Sequence, residues 1–203
     1  MASRLGKDFY QREDVVQISK DLLGKFLVTN IEGQLTAGMI VETEAYRAPD
    51  DKACHAHHNR YTERTKTMFE PGGVAYIYLC YGIHHLFNVV TAQEGMAHAI
   101  LVRAVEPTDN VAVMLQRRGF EHIKPQLTAG PGVMSKALGL HTDYTGTSLV
   151  NKNSPIWLED RGVVVPPKDM IASPRVGVGY AEECAEWPWR FRVRDSKWTS
   201  KAR

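Results

Sequence analysis

The sequence holds no Cys-x-x-Cys pair, no glycine-rich phosphate loop, no internal repeat and no low-complexity linker. Each absence removes a class of protein. The cysteines are three, Cys54, Cys80 and Cys184. An odd, sparse set fits structural thiols in a reducing compartment rather than a disulfide framework. No apolar run approaches the roughly 18 residues that a membrane helix needs, so no membrane partner is expected. Met1 to Lys7 lack the apolar stretch of a signal peptide, and a cytoplasmic location, at the nucleoid in a bacterium, is expected. Neither Gly130-Pro131-Gly132 nor the glycines of Arg175-Val176-Gly177-Val178-Gly179-Tyr180 match G-x-G-x-x-G, so no nucleotide cofactor is expected.

What remains is an ordinary globular composition. The chain has 203 residues, 43% hydrophobic and 24% charged, enough for one hydrophobic core. Residues 1–203 are read as a single domain, with monomer as the default state. The net charge is only +2, but Arg190, Arg192, Arg194, Lys197, Lys201 and Arg203 face a lone Asp195 in residues 190–203. That stretch is +5, which leaves −3 for the rest. Such asymmetry fits a basic face for a polyanion, or simply a solvated basic tail.

The elements do not alternate as βαβ units. Asp14 can cap a helix to about Leu23, with Val15, Ile18, Leu22 and Leu23 on one face and Gly24 closing it. Residues 25–30 and 35–46 read as strands around Glu32-Gly33, and residues 74–80 and 86–92 as a hairpin with Tyr81 near its turn. Ala99–Val105 is a further strand. Thr108 or Asp109 opens a helix that stops before Gly119, with Val111, Met114 and Leu115 inward. Pro131 opens another that Gly139 stops, and short strands follow at 156–158 and 191–194. This order predicts an α+β fold: a mostly antiparallel, curved mixed sheet flanked by helices, with one projecting β-hairpin.

Several side chains stand out on these elements. In an extended 38–46 segment Ile40, Glu42, Glu44 and Tyr46 share one side. Two carboxylates on a strand that starts apolar are costly unless paired or used, although an exposed strand end would leave them solvated. Tyr76 and Tyr78 share a face of the hairpin, and Tyr81 can project as a wedge. Core packing also explains strand tyrosines. Arg103 interrupts the apolar run 99–105 and needs an anion, a polar groove or an exposed face. Asn88 interrupts Leu86–Val90 similarly; its amide is structural or reads the edge of a bound ring. Cys54-His55-Ala56-His57-His58, with His84-His85, resembles a metal site at first glance. It lacks zinc spacing, so no metal is expected, and one imidazole is better used in a pocket.

Together these residues resemble the alkyladenine (3-methyladenine) DNA glycosylase family. The resemblance is carried by Val41–Tyr46 with Pro49-Asp50-Asp51 and His55, by Tyr78-Leu79-Cys80-Tyr81-Gly82, by Asn88, and by Leu101–Pro107. Gly130-Pro131-Gly132, Arg175–Tyr180 and Pro188–Phe191 complete it. It spans about residues 9–198 and is similar to the compact bacterial form.

The resemblance implies a monofunctional glycosylase of base excision repair. Its partner is double-stranded DNA, from which it flips alkylated or deaminated purines. Glu44 is then the base that activates water, with Glu42 a rival by sequence alone. Arg103 helps position the water. Tyr46, His55 and Tyr78 hold the flipped base, Asn88 disfavours guanine, and Tyr81 fills the gap in the duplex. His57 and His58 leave open which imidazole faces the base. Arg190, Arg192 and Arg194 are weak candidates for contacts to the DNA backbone. Cys80 and His84-His85 depart from the family pattern. The alternatives are a non-catalytic nucleic-acid-binding module on the same fold, and a zinc hydrolase built on the histidines.

Overall fold

A computed structural model describes residues 2–201. Among these, nine strands form one sheet. They are β1 (Ser3–Arg4), β2 (Phe26–Ile31), β3 (Gln34–Arg47), β4 (Ala75–Cys80), β5 (His84–Thr91), β6 (His98–Asp109), β7 (Ile156–Asp160), β8 (Met170–Ser173) and β9 (Arg190–Val193). The main order is β1-β7-β2-β3-β6-β5-β4. Strand β9 pairs with both β3 and β8. Every described pairing is antiparallel, in keeping with the α+β architecture. Four α-helices accompany the sheet: α1 (Lys7–Tyr10), α2 (Val15–Asp21), α3 (Val111–Arg118) and α4 (Pro131–Leu138). No helix of the described residues is long and apolar enough to cross a membrane.

The local signals act as their chemistry dictates. The Asp14 side chain accepts a hydrogen bond from the Gln17 N–H, so α2 starts with a satisfied donor. Val15, Ile18, Leu22 and Leu23 are all buried. Gly24 takes φ +85°, a conformation cheap only for glycine. Helix α3 starts later than expected. Strand β6 keeps its register on β3 as far as Asp109, opposite Ala37, and the Asp109 carboxylate is held by both terminal nitrogens of Arg161. It is therefore not available as a helix cap. Asn110 turns the chain in the left-handed region and Val111 opens the helix. Strand β8 was not foreseen.

Strand β3 is the spine. Its first half pairs with β2 and its second half, at Glu42–Glu44, with β9, while β6 runs along its other edge. The register with β6 shifts three times, once between Ala37 and Gly38 and twice around Glu42. Ile40 opposes Val105, Glu42 opposes Ala104, and Thr43 opposes Val102. Val41 on one strand and Arg103 on the other thus lack a partner, as in paired β-bulges. The bulge at Val41 breaks the simple alternation. Ile40 and Val41 both pack into the main core, so Ile40 leaves the expected set. Beyond it Thr43 bonds back to Ser19 of α2, and Glu42, Glu44 and Tyr46 take the other face. The main core itself runs from Leu5 to Trp198.

Candidate active site

One cross-strand row carries most of the candidate residues. Tyr76 opposes Asn88, Asn88 opposes Leu101, Leu101 opposes Glu44, and Glu44 opposes Arg190. Directly paired residues share a face, so side chains from five strands meet on one surface of the sheet. One step along each strand pair stand Tyr78, Tyr46 and the bulged Arg103. The face opens into a cavity of about 610 Å³ whose lining includes Glu44, Tyr46, His55, Tyr78, Asn88 and Arg103. All six catalytic and base-binding candidates are therefore brought together. The hairpin tip and the start of α4 at Gly130–Gly132 form part of the wall.

Glu44 is fully buried. Its Oε2 accepts from the Tyr46 hydroxyl at 2.8 Å and from Nη1 of Arg103 at 3.2 Å, and its Oε1 accepts from the Val176 N–H at 2.8 Å. A carboxylate offers about four acceptor positions. Three are filled, and the vacant one is on Oε1. Burial first, and the Glu44 carboxylate next, hold the Tyr46 phenol well above its ordinary pKa, so it is a donor.

Glu42 is also fully buried but does not line the cavity. Its Oε1 takes Nε of Arg103 at 2.9 Å, Nε of Arg190 at 2.7 Å and the Ser200 hydroxyl at 2.8 Å, and its Oε2 takes the Ser200 N–H at 2.6 Å. Four internal donors engage this carboxylate, against three on Glu44, and only Glu44 of the two lines the cavity, which separates them. Arg103 bridges the two acids. Burial works against its charge, but Glu44 and Glu42 outweigh it and the guanidinium pKa is raised.

The rings are fixed by a second buried pair. Arg175 makes a two-pronged contact with Asp51, at 2.5 and 2.7 Å, and also donates to the Ala45 and Cys184 carbonyls. Its guanidinium lies 4.7 Å from the Tyr46 ring centre. This one side chain orients Tyr46 and anchors the segment that presents the Val176 N–H to Glu44. Sequence reasoning missed it. The only signal was an arginine before Val176-Gly177-Val178-Gly179, and its acid lies 124 residues away.

Of the histidines, His55 faces the cavity; His57 and His58 do not line it. The His55 ring stands edge-on to Tyr78 with centres 4.6 Å apart. Its Nδ1 lies 2.9 Å from the Tyr76 hydroxyl and its Nε2 lies 3.3 Å from Nη2 of Arg64. Arginine can only donate, so Nε2 accepts and Nδ1 carries the proton. Burial, with help from Arg64, pulls the imidazole pKa down to about 4. His57 bonds the Pro49 carbonyl. Among the described residues no group of three or more His, Cys, Asp or Glu side chains could hold a metal ion.

Asn88 is buried, and its amide nitrogen donates to the Tyr76 and Leu86 carbonyls at 3.0 and 3.1 Å. Those bonds set the amide so that its oxygen remains as an acceptor at the cavity wall. Tyr81 is the opposite of buried: at the hairpin tip it is 90% exposed with φ +51°. Leu79 and Ile83 beside it are exposed as well.

The expected role of Arg190 at the DNA backbone fails on burial. Its guanidinium is inside the protein, on Glu42 and Ser200. Arg192 is half-buried, and burial lowers its pKa. Arg194 lies beyond β9 and donates to the Lys168 carbonyl. The basic stretch is thus not one exposed face.

Comparison with known proteins follows the same outline. The family model described as "Methylpurine-DNA glycosylase (MPG)" matches residues 8–197. A Chlamydia felis protein named "Putative 3-methyladenine DNA glycosylase" is 44% identical over 195 residues, covering 95% of this chain and 97% of that one. Proteins of the same name from Alkaliphilus oremlandii and Clostridium perfringens are 38% and 36% identical, each over 98% of this chain and 99% of theirs.

Two measurements check this geometry. Replacing Arg190 with leucine leaves Glu42 short of one buried cation, so a loss of about 3–5 kcal/mol is expected as a large fall in Tm. The salt dependence of DNA affinity should stay that of the wild type; a small change in Tm with a flattened salt slope would return Arg190 to the DNA surface. His55 should titrate by NMR near pH 4. Its folded pKa lies below the unfolded value of about 6.5, so the stability from a neutral His55 is complete above that pH. It is lost as the pH falls toward 4, and an imidazole titrating at its ordinary pKa would contradict the burial.

Proposed function

The chain belongs to the methylpurine-DNA glycosylase family, and we propose that it flips alkylated or deaminated purines out of double-stranded DNA and hydrolyses their N-glycosidic bond with water activated by Glu44. The single observation that carries this reading is the vacant acceptor position on Glu44 at the wall of an aromatic cavity. A water there donates to Oε1 and turns its oxygen lone pair toward the sugar. The Val176 N–H on the same oxygen and the Tyr46 hydroxyl and Arg103 on the other fix where that water sits. Glu42 takes four internal donors and does not line that cavity.

Cleavage of a glycosidic bond passes through an oxocarbenium-like state. The bonding electron pair leaves with the base nitrogen, and positive charge develops at the anomeric carbon. The Glu44 carboxylate stabilises that charge, and it takes the water proton as the new C–O bond forms. The cavity volume falls within the range of sites that enclose a small molecule. Tyr46, Tyr78 and His55 supply faces and edges for a flat purine, worth roughly 1–3 kcal/mol per stacked base. Extruding the nucleotide costs a few kcal/mol, the same order. Tyr81, exposed at the turn, fills the space in the duplex. The Asn88 oxygen reads the base edge against guanine. Among the described residues that line the cavity none is a lysine, so no amine there forms a Schiff base with the sugar, and the reaction stops at base release.

The test is base release from duplexes containing hypoxanthine or ethenoadenine under single-turnover conditions. Glu44→Gln should lower the rate by roughly 10²–10⁴-fold and leave duplex binding intact. Full activity in that variant would dismiss Glu44 as the base. Tight duplex binding by the wild type with no release from any lesion would favour the non-catalytic module.

A further inference from the structure

The charges around the cavity do not balance. Its lining holds one carboxylate, Glu44, against two guanidiniums, Arg103 and Arg64. Arg103 is engaged by Glu42 and Glu44. Arg64 has no carboxylate partner among the described residues; the neighbouring Glu63 pairs with Lys66 instead. The Arg64 guanidinium lies 5.2 Å from the Tyr78 ring centre and donates to Nε2 of His55. It therefore rests on the two rings that are to hold the base. His55 is neutral at physiological pH and adds no charge.

We propose that Arg64 sets the charge preference of the cavity, favouring neutral purine lesions with an acceptor at their edge over purines that carry a formal positive charge. This deepens the glycosylase reading and rests on it. Aromatic faces attract cations, so the tyrosines alone would favour bases methylated on a ring nitrogen. A guanidinium at the same rim repels those cations. It also donates to the exocyclic oxygen or ring nitrogen of a neutral base.

The difference grows along the reaction. When a neutral base departs with the bonding electron pair, negative charge accumulates on it, and Arg64 stabilises that charge without transferring a proton. A cationic base departs as a neutral molecule and gains nothing from Arg64. The proton on Nδ1 of His55 points to Tyr76, not to Arg64, so a fixed cation is the electrophile present at that edge.

The experiment compares single-turnover base release from a hypoxanthine duplex with release of 3-methyladenine from a methylated duplex. Arg64 is exposed, so its variants keep the fold, and an unchanged Tm checks this. Arg64→Gln should raise the ratio of 3-methyladenine to hypoxanthine release by about tenfold, the size of a partly screened unit charge. Arg64→Lys should hold the wild-type ratio within a few-fold. The salt slope of affinity for an undamaged duplex should not move, as it would for a phosphate contact. An unchanged ratio in Arg64→Gln, whether both rates fall or neither does, overturns the proposal while base release by the wild type keeps the glycosylase reading. A wild type that releases neither base overturns both.

Discussion

The site depends on one buried arginine held between two buried acids. Arg103 meets Glu42 through Nε and Glu44 through Nη1. Arg190 supplies the second positive charge on Glu42. Two carboxylates and two guanidiniums thus share the interior, and their charges cancel. Ions in a protein interior are tolerated only when paired and fully hydrogen-bonded. Glu42 meets that condition with four internal donors, two of them on guanidiniums. Glu44, which lines the cavity, has three donors and one acceptor position on Oε1 left over. The asymmetry between two acids only two residues apart is the physical content of the site.

The sheet makes this arrangement possible. A regular antiparallel ladder would put Arg103 in register opposite β3 like any other residue. The paired slips around Val41 and Arg103 instead free the arginine from the ladder and bring it between the acids. Strand β9 joins the same stretch of β3, which delivers Arg190 from one side, and Ser200 follows from the chain beyond it. Tyr46, next along that face, is steadied by Arg175. Strands therefore hold the acid, the tyrosines and the arginine, while the hairpin tip is exposed.

Period-two patterns were legible in the sequence. Glu44 with Tyr46, and Tyr76 with Tyr78, fall on shared faces because strands alternate, and Asn88 and Arg103 stood out as polar breaks in apolar runs. The capped helix α2 and the hairpin were readable for equally local reasons. What was hidden was non-local. Arg190 looked like part of a basic face for DNA or of a solvated tail because composition does not reveal a partner 148 residues away. The bond from Ser200 to Glu42 spans 158 residues. Asp51 and Arg175 gave no sign of each other. The bulge at Val41 could not be read from alternation, and it is why Ile40 belongs to the core rather than to the site. Glu42 and Glu44 were rivals by strand pattern alone; the family resemblance favoured Glu44, and their partners in the structure now distinguish them.

The central claim is that the vacant position on Glu44 holds the attacking water. The most direct measurement is a crystal structure with a duplex that carries a cationic pyrrolidine in place of the deoxyribose, a mimic of the oxocarbenium state. The account predicts an ordered water within hydrogen-bond distance of Glu44 Oε1, facing the pyrrolidine atom that replaces the anomeric carbon, with Arg103 still on Oε2. A pyrrolidine seated away from Glu44, or no water between them, would contradict it.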